Sequence, residues 1–199
     1  MSVLSGKKIL LGISAGIAAY KTPLLVRLIR SERAELKIVM TPAAKDFVTP
    51  LTLSTLSNHP VYSTFTEELH DNHVWNDHVA LGKWADLFLI APATSNTLSA
   101  LVHANCNNLL VATYLSCTCP VYIAPAMDLD MYVHPANQKN IDELKRIGKK
   151  ILPVGEGFLA SGLHGKGRML EPVEIINHIS EDLRSELPLY GKKVLITAG

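Results

Sequence analysis

Leu87-Phe88-Leu89-Ile90-Ala91-Pro92-Ala93-Thr94 recurs in form as Val121-Tyr122-Ile123-Ala124-Pro125-Ala126-Met127. Each is a short apolar run that reaches Ala-Pro-Ala. No polar residue alternates within either run, which is the pattern of a strand buried on both faces in a parallel sheet. Proline has no N–H to give to a ladder, so both strands are expected to end there. Ligands of open α/β sheets bind just beyond the carboxyl ends of the strands. The repeated Ala-Pro-Ala therefore marks the expected rim of a site twice.

The flanking sequence supports a β/α alternation. Strands are expected at Lys8–Ile13, Leu36–Met40, Leu87–Ala91, Val121–Ala124 and Ile151–Leu152. Between the first two lies a helical pattern, Ile17–Arg30, with Leu24, Leu25, Leu28 and Ile29 on one face and Pro23 marking a late start or a bend. Thr41-Pro42 and Thr49-Pro50 each read as an N-cap followed by proline at the first helical position. Helices are expected over Thr94–Val102 and Asn108–Leu115, from His134-Pro135 to Gly148, and from Pro172 with Val173, Ile176, Ile179 and Leu183 on one side. Alternation at this spacing predicts an α/β fold with a parallel sheet and right-handed crossovers. Two regions break the rhythm. His59–Asp77 is polar and reads as a surface excursion; Gly155–Met169, with five glycines, reads as a long functional loop.

At 199 residues the chain holds one good-sized domain, or one domain and a fragment of another. Hydrophobic residues make up 48% and charged residues 19%, which suits a core on both sides of a sheet. A net charge of +1 with no basic stripe argues against a nucleic-acid binder. No apolar run approaches the roughly 18–20 residues of a membrane span, and Met1–Lys8 lacks a signal-peptide core. Three cysteines, Cys106, Cys117 and Cys119, fit a reducing cytoplasm and are expected as small buried hydrophobes. His70 and His73 have helical metal-ligand spacing but no clear third ligand, so no metal site is expected.

Four clusters carry possible chemistry. Gly12-Ile13-Ser14-Ala15-Gly16-Ile17-Ala18 follows a strand and opens a helix, where free N–H groups can hold an anion. It lacks the dinucleotide glycine fingerprint and the Walker lysine pattern, so a single phosphate fits it better. Thr94-Ser95-Asn96-Thr97 after the first Ala-Pro-Ala can cap a helix or bind phosphate. Met127 and Asp128 follow the second, where a methionine can wall a flat cofactor. His78, among Val79, Leu81 and Trp84, is expected to be half-buried with a tunable pKa.

Gly12–Lys21, His78–Asp86, Ala91–Thr97, Pro125–Met131 and Gly157–Met169 occur in the order of one family. The chain resembles the homo-oligomeric flavin-containing cysteine decarboxylases over nearly its whole length, from Gly6 on. Within them it is similar to the N-terminal half of the bifunctional phosphopantothenoylcysteine decarboxylase / phosphopantothenate–cysteine ligases of coenzyme A synthesis. The resemblance implies a Rossmann-like, flavodoxin-type parallel sheet with helices on both faces. It divides the chain into a flavoprotein decarboxylase domain over 1–186 and a linker plus the first ligase strand over 187–199. Gly191–Gly199 indeed repeats the form of Gly6–Ile13.

The same resemblance implies FMN as cofactor and 4′-phospho-N-pantothenoylcysteine as substrate. Ser14, Gly16 and Ile17 would lie near the cofactor phosphate, with Thr41, Phe47, Ala93, Thr94, Asn96 and Met127 around the rest of it. His78 would be the active-site histidine. Asp128, Met131, Ala160, Gly162, Arg168 and Met169 would meet the substrate. Sites of this family lie between subunits, usually of a homotrimer that can build a dodecamer. The implied chemistry is transient oxidation of the cysteine unit to a thioaldehyde, loss of CO2, and re-reduction of the enethiolate to 4′-phosphopantetheine.

Two positions depart from the family pattern. Asp128 stands where an asparagine usually binds the substrate carboxylate, and an ionised aspartate repels a carboxylate by a few kcal/mol at short range. Protonation of Asp128, or a nearby Arg168 or Lys166, would restore the contact. Ser161 stands where a cysteine usually donates the proton for the final reduction, and a hydroxyl is a far weaker acid than a thiol. Ser161 as a relay, donation by His164 or Lys166, and arrest at the oxidised enethiol all follow as alternatives. Rival readings are a flavoprotein acting on another cysteine substrate, a weakly catalytic regulatory flavoprotein, and a nicotinamide dehydrogenase, the last disfavoured by the missing glycine fingerprint.

Overall fold

The computed structural model of the chain describes residues 2–69, 72–193, 195 and 197. Its strands are β1 (Lys8–Ile13), β2 (Glu35–Met40), β3 (Val61–Tyr62), β4 (Thr66–Leu69), β5 (Asn72–Trp75), β6 (Leu87–Ala93), β7 (Val121–Pro125), β8 (Lys150–Ile151), β9 (Val154–Phe158) and β10 (His164–Met169). Six of them form one sheet in the order β3-β2-β1-β6-β7-β8, with every pairing parallel. The direction of winding reverses between β1 and β6. A crevice opens beyond the strand ends at such a switch point.

Helices cover both faces, as expected of a flavodoxin-type sheet. Leu25, Val26 and Ile29 of α1 (Thr22–Ser31), Leu53 of α2 (Pro50–Ser57) and Ile175, Ile176 and Ile179 of α8 (Pro172–Ser185) join a core with Ile9, Leu11 and Ile13 of β1. The alternate residues Leu10, Phe88 and Ile90 point to the other face. There they meet Leu81 of α3 (His78–Trp84), Leu98 and Leu101 of α4 (Ser95–Val102), α5 (Leu109–Ser116) and Ile141 and Leu144 of α7 (Pro135–Arg146). A short α6 (Leu129–Val133) follows β7. At Gly12 a side chain would come within 2.9 Å of the Phe88 ring, so glycine there lets β1 and β6 share one packed layer.

Several expectations are corrected. β6 does not stop at Pro92: the ladder shifts register between Ile90 and Ala93, and the missing donor falls in that irregularity. Gly155–Met169 is an antiparallel hairpin, β9–β10, rather than a loop. Within the polar 59–77 segment, Val61–Tyr62 extends the sheet edge beside β2, and β4 pairs with β5. The Pro42–Asp46 segment is a 3-10 turn, and Thr41 places no side-chain cap on it. Leu24 and Val173 are half-exposed, because Leu25, Val26 and Ile29 of α1 and Ile175, Ile176 and Ile179 of α8 face inward. The cysteines are not buried: Cys106 is exposed, and Cys117 and Cys119 are half-buried. His70 lies outside the described residues, as does much of the expected terminal strand.

Candidate active site

The carboxyl ends of β1, β6 and β7 converge on one cavity of about 640 Å³, within the size range of small-molecule sites. Ser14 ties two of these ends together. Its buried hydroxyl donates to the Pro92 carbonyl at 2.7 Å and accepts from the Thr94 N–H at 3.1 Å. Ser14 thus orients the turn from β6 into α4 without lining the cavity. Gly16 and Ile17, in and just after the β1 turn, do line it, as do Thr94, Ser95 and Asn96. No side chain caps the first turn of α4. Its first N–H groups are left to an external acceptor, and the helix dipole favours an anion there.

Met127 and Asp128 form the next wall. Asp128 caps α6, accepting from the Leu129 N–H at 2.7 Å. The β9–β10 hairpin lies over them, contributing Phe158, Leu159, Ala160, Arg168 and Met169 to the lining. Its seat depends on Gly167, at φ +134°, where a Cβ would fall 2.4 Å from the Met127 carbonyl oxygen. The Met127 N–H in turn donates to the Gly167 carbonyl at 3.0 Å.

Two cations border the cavity through one carboxylate. Lys21, only 4% exposed, donates to the Met169 carbonyl at 2.7 Å and to Glu171 at 2.9 Å. Arg168 donates to the same Glu171 oxygen at 2.9 Å. These partners, Lys21 first, hold the Glu171 carboxyl below the usual carboxylate range. Lys166 is exposed on β10 and does not line the cavity, so of the two cations expected near Asp128 it is Arg168 that shares the cavity with it.

The cavity brings together Gly16, Ile17, Thr94, Asn96, Met127, Asp128, Met131, Ala160, Arg168 and Met169. The remaining expected residues lie outside its lining. Ala93 is buried in β6 beside Pro125. Phe47 is exposed. Ser161 and Gly162 are exposed at the hairpin tip, where the Ser161 hydroxyl accepts weakly from the Leu163 N–H at 3.4 Å. His78 opens α3, which Asp77 caps. Its ring is half-buried and stands edge-on to Phe65 and Trp75, at 6.1 and 6.2 Å. Among the described residues, two buried side-chain polar atoms have no hydrogen-bond partner: Thr41 Oγ1 and His78 Nδ1.

Sequence reasoning missed two residues of this framework. Lys21 stands in the quoted Gly12–Lys21 motif, but its partners come from 148 and 150 positions away. Asn137 is buried in α7; its amide accepts from Ser95 at 2.6 Å and donates to the Met131 carbonyl at 2.7 Å. It links two rims of the cavity, and nothing in its local sequence distinguishes it from a surface asparagine.

A doubly wound sheet with a single-phosphate-type cradle at its switch point is a recognised setting for a nucleotide-type cofactor. The chain belongs to the Flavoprotein family, whose profile matches residues 2–184. It is 43% identical to "Coenzyme A biosynthesis bifunctional protein CoaBC" of Vibrio vulnificus over 199 residues, covering 100% of this chain and 49% of that protein. It is 50% identical over 156 residues to a "Cysteine/Cysteine sulfinic acid decarboxylase" from an unknown prokaryotic organism, covering 76% of this chain and 43% of that protein. The chain therefore spans about half the length of the curated relatives it matches.

Solved structures agree. A cysteine-to-serine mutant of PPC decarboxylase complexed with pantothenoylaminoethenethiol superposes with a TM-score of 0.76 at 29% identity, covering 87% of this chain and 96% of that one. The FMN-dependent cysteine decarboxylase SpaF superposes at 0.75 with 28% identity, covering 92% and 98%.

Proposed function

We propose that the chain is an FMN-dependent decarboxylase of cysteine carboxylates, acting on 4′-phospho-N-pantothenoylcysteine to give 4′-phosphopantetheine. The observation that carries this reading is the cavity where the uncapped start of α4, Met127, Asp128 and the Arg168 hairpin meet. FMN fits the residues present. The uncapped α4 amides suit one phosphate, and Met127 offers an apolar wall. When bound, FMN supplies the reversible two-electron chemistry that lets an unactivated carboxylate leave.

The chain's own residues bind, orient and move protons. Gly16, Ile17, Thr94 and Asn96 hold the cofactor, with Ser14 fixing the turn that presents them and Thr41, Phe47 and Ala93 around it. Arg168 attracts the anionic substrate and offsets the charge of Asp128. Met131, Ala160, Gly162 and Met169 shape the substrate side, and the hairpin excludes water. His78 is assigned the proton exchange with the reacting cysteine unit. Ser161 replaces the usual thiol donor as a relay.

Self-association completes the site. Ile17 and Tyr20 line the cavity and are 59% and 60% exposed, so an apolar rim faces outward beside it. A second copy of the chain, in a homotrimer or a larger assembly of trimers, covers that rim and brings the residues outside the cavity into use. Among the described residues, no helix is long and apolar enough to cross a membrane. We place the enzyme in the cytoplasm.

A second reading, favoured by the 50% identical relative, is decarboxylation of a smaller cysteine-type substrate. Mass analysis of products from phosphopantothenoylcysteine, L-cysteine and cysteine sulfinic acid separates the two. We expect turnover of the first, with 4′-phosphopantetheine as product. A product lighter by two hydrogens would show that Ser161 does not support the final protonation. That outcome parallels the enethiol held by the cysteine-to-serine PPC decarboxylase. Turnover confined to the small amino acids would replace the first reading with the second.

A further inference from the structure

The Cys117-Thr118-Cys119 segment lies between α5 and β7, at the amino end of the sheet's central strands and away from the cavity. Cys117 leaves α5 in an extended conformation, at φ −86° and ψ 134°. Side chains two residues apart on an extended backbone share a face. The two sulfurs stand 3.0 Å apart, and both residues are half-buried at the edge of the core.

We propose that Cys117 and Cys119 form a dithiol site that exchanges with low-molecular-weight disulfides and closes to an internal disulfide. The separation favours this over a metal. Two thiolates on one tetrahedral zinc, each at about 2.3 Å, lie roughly 3.8 Å apart, wider than the gap here. Among the described residues, no group of three His, Cys, Asp or Glu side chains is placed to hold a metal ion. Closing to a bonded distance of about 2.0 Å asks for a movement of only about 1 Å.

The two thiols have distinct roles. The contact between the two sulfurs, in which either can donate, together with the charge of Lys149 lowers the Cys117 thiol from its ordinary value despite partial burial. Cys119 is pushed up by the same contact and keeps its proton. Cys117 is therefore the attacking thiolate. Its sulfur attacks one sulfur of R–S–S–R, the S–S bond breaks, and one RS⁻ leaves to be protonated. The negative charge at Cys117 is then gone, and with it the main reason for Cys119 to hold its proton. Cys119 loses that proton and attacks the Cys117 sulfur, expelling the second RS⁻. Two electrons and two protons pass from the protein to two RSH. Cys106, exposed and without a second cysteine beside it, would stop at the mixed disulfide.

The test uses the protein with Cys106→Ser, incubated with oxidised glutathione and read by intact mass and peptide mapping. The expected product is lighter by two hydrogens, carries no adduct, links Cys117 to Cys119, and reverts with dithiothreitol. Its formation rate should rise with pH through a midpoint below the ordinary thiol value, because Cys117 is lowered. With Cys119→Ser added, the reaction should halt at a glutathione adduct on Cys117. Persistent adducts on both cysteines of the Cys106→Ser protein, or no reaction at either, would overturn the proposal. The readout is independent of flavin and of turnover, so it stands or falls apart from the decarboxylase reading.

Discussion

Burying a lysine is costly unless its ammonium is ion-paired and hydrogen-bonded. Lys21 meets that condition through the Met169 carbonyl and the Glu171 carboxylate. Replacing it with methionine keeps the packed stem but removes one donor from the carbonyl and leaves Glu171 with Arg168 as its charged partner. We expect Lys21→Met to lower stability by about 2–3 kcal/mol, read as a shift of the urea midpoint. The same pair sets a pH dependence. The Glu171 carboxyl is depressed in the folded chain, chiefly by Lys21. Its stabilising contribution is therefore complete above the ordinary carboxylate value and is lost as pH falls below about 4.5 through the depressed value. Lys21→Met should flatten that acid-side loss. Parallel acid limbs for the two proteins would show that Glu171 is not held by Lys21.

Among the elements, the β9–β10 hairpin decides whether the cavity has a substrate side. It meets the chain just after β7 through the backbone contact at Gly167, where no side chain fits and φ is +134°. Gly167→Ala therefore cannot be relieved by a rotamer change. We expect it to cost upwards of about 3 kcal/mol and to yield protein that purifies without flavin absorbance. A yellow, equally stable Gly167→Ala protein would mean that the hairpin does not close the site. The last helix is fastened separately. Lys150 of β8 bonds Asp182 at 2.5 Å and Glu186 at 2.8 Å, and the Tyr122 hydroxyl donates to the same Asp182. That clip holds α8, and through Glu171 at its start it steadies Lys21 and Arg168.

At the scale of the whole molecule, the apolar residues left outside are as informative as those inside. Ile17, Tyr20 and Leu24 follow one another at helical spacing from the cavity rim outward, each more than half exposed. Such a stripe beside a site fits an interface between copies of one chain. Sedimentation equilibrium should give three times the chain mass or a multiple of it. Tyr20→Glu should shift the protein toward monomer and release its flavin together. A wild-type monomer that retains flavin would rule out a shared site.

The buried parallel strands were legible because both faces of the sheet are covered, and unbroken apolar runs such as Leu87–Ile90 follow directly from that burial. The switch-point rim was legible for the same reason, as was the cap at Thr49, where one side chain serves its own helix. The Gly155–Met169 hairpin was not, since glycine-rich strands carry no alternation and are held by contact with Met127 and Leu129. The inward faces of α1 and α8 were misjudged by one position at Leu24 and Val173, because helix rotation is set by the surface beneath. By itself the sequence determined the layers of the fold and the end of the sheet at which a ligand binds, through local burial pattern and turn chemistry. The tertiary structure alone decided which polar groups meet: Lys21 with Glu171 and Ser95 with Asn137 at that end, and Cys117 facing Cys119 at the opposite one. Except for that last pair, those contacts join residues far apart in the chain, and even between near neighbours their direction is set by packing rather than by spacing.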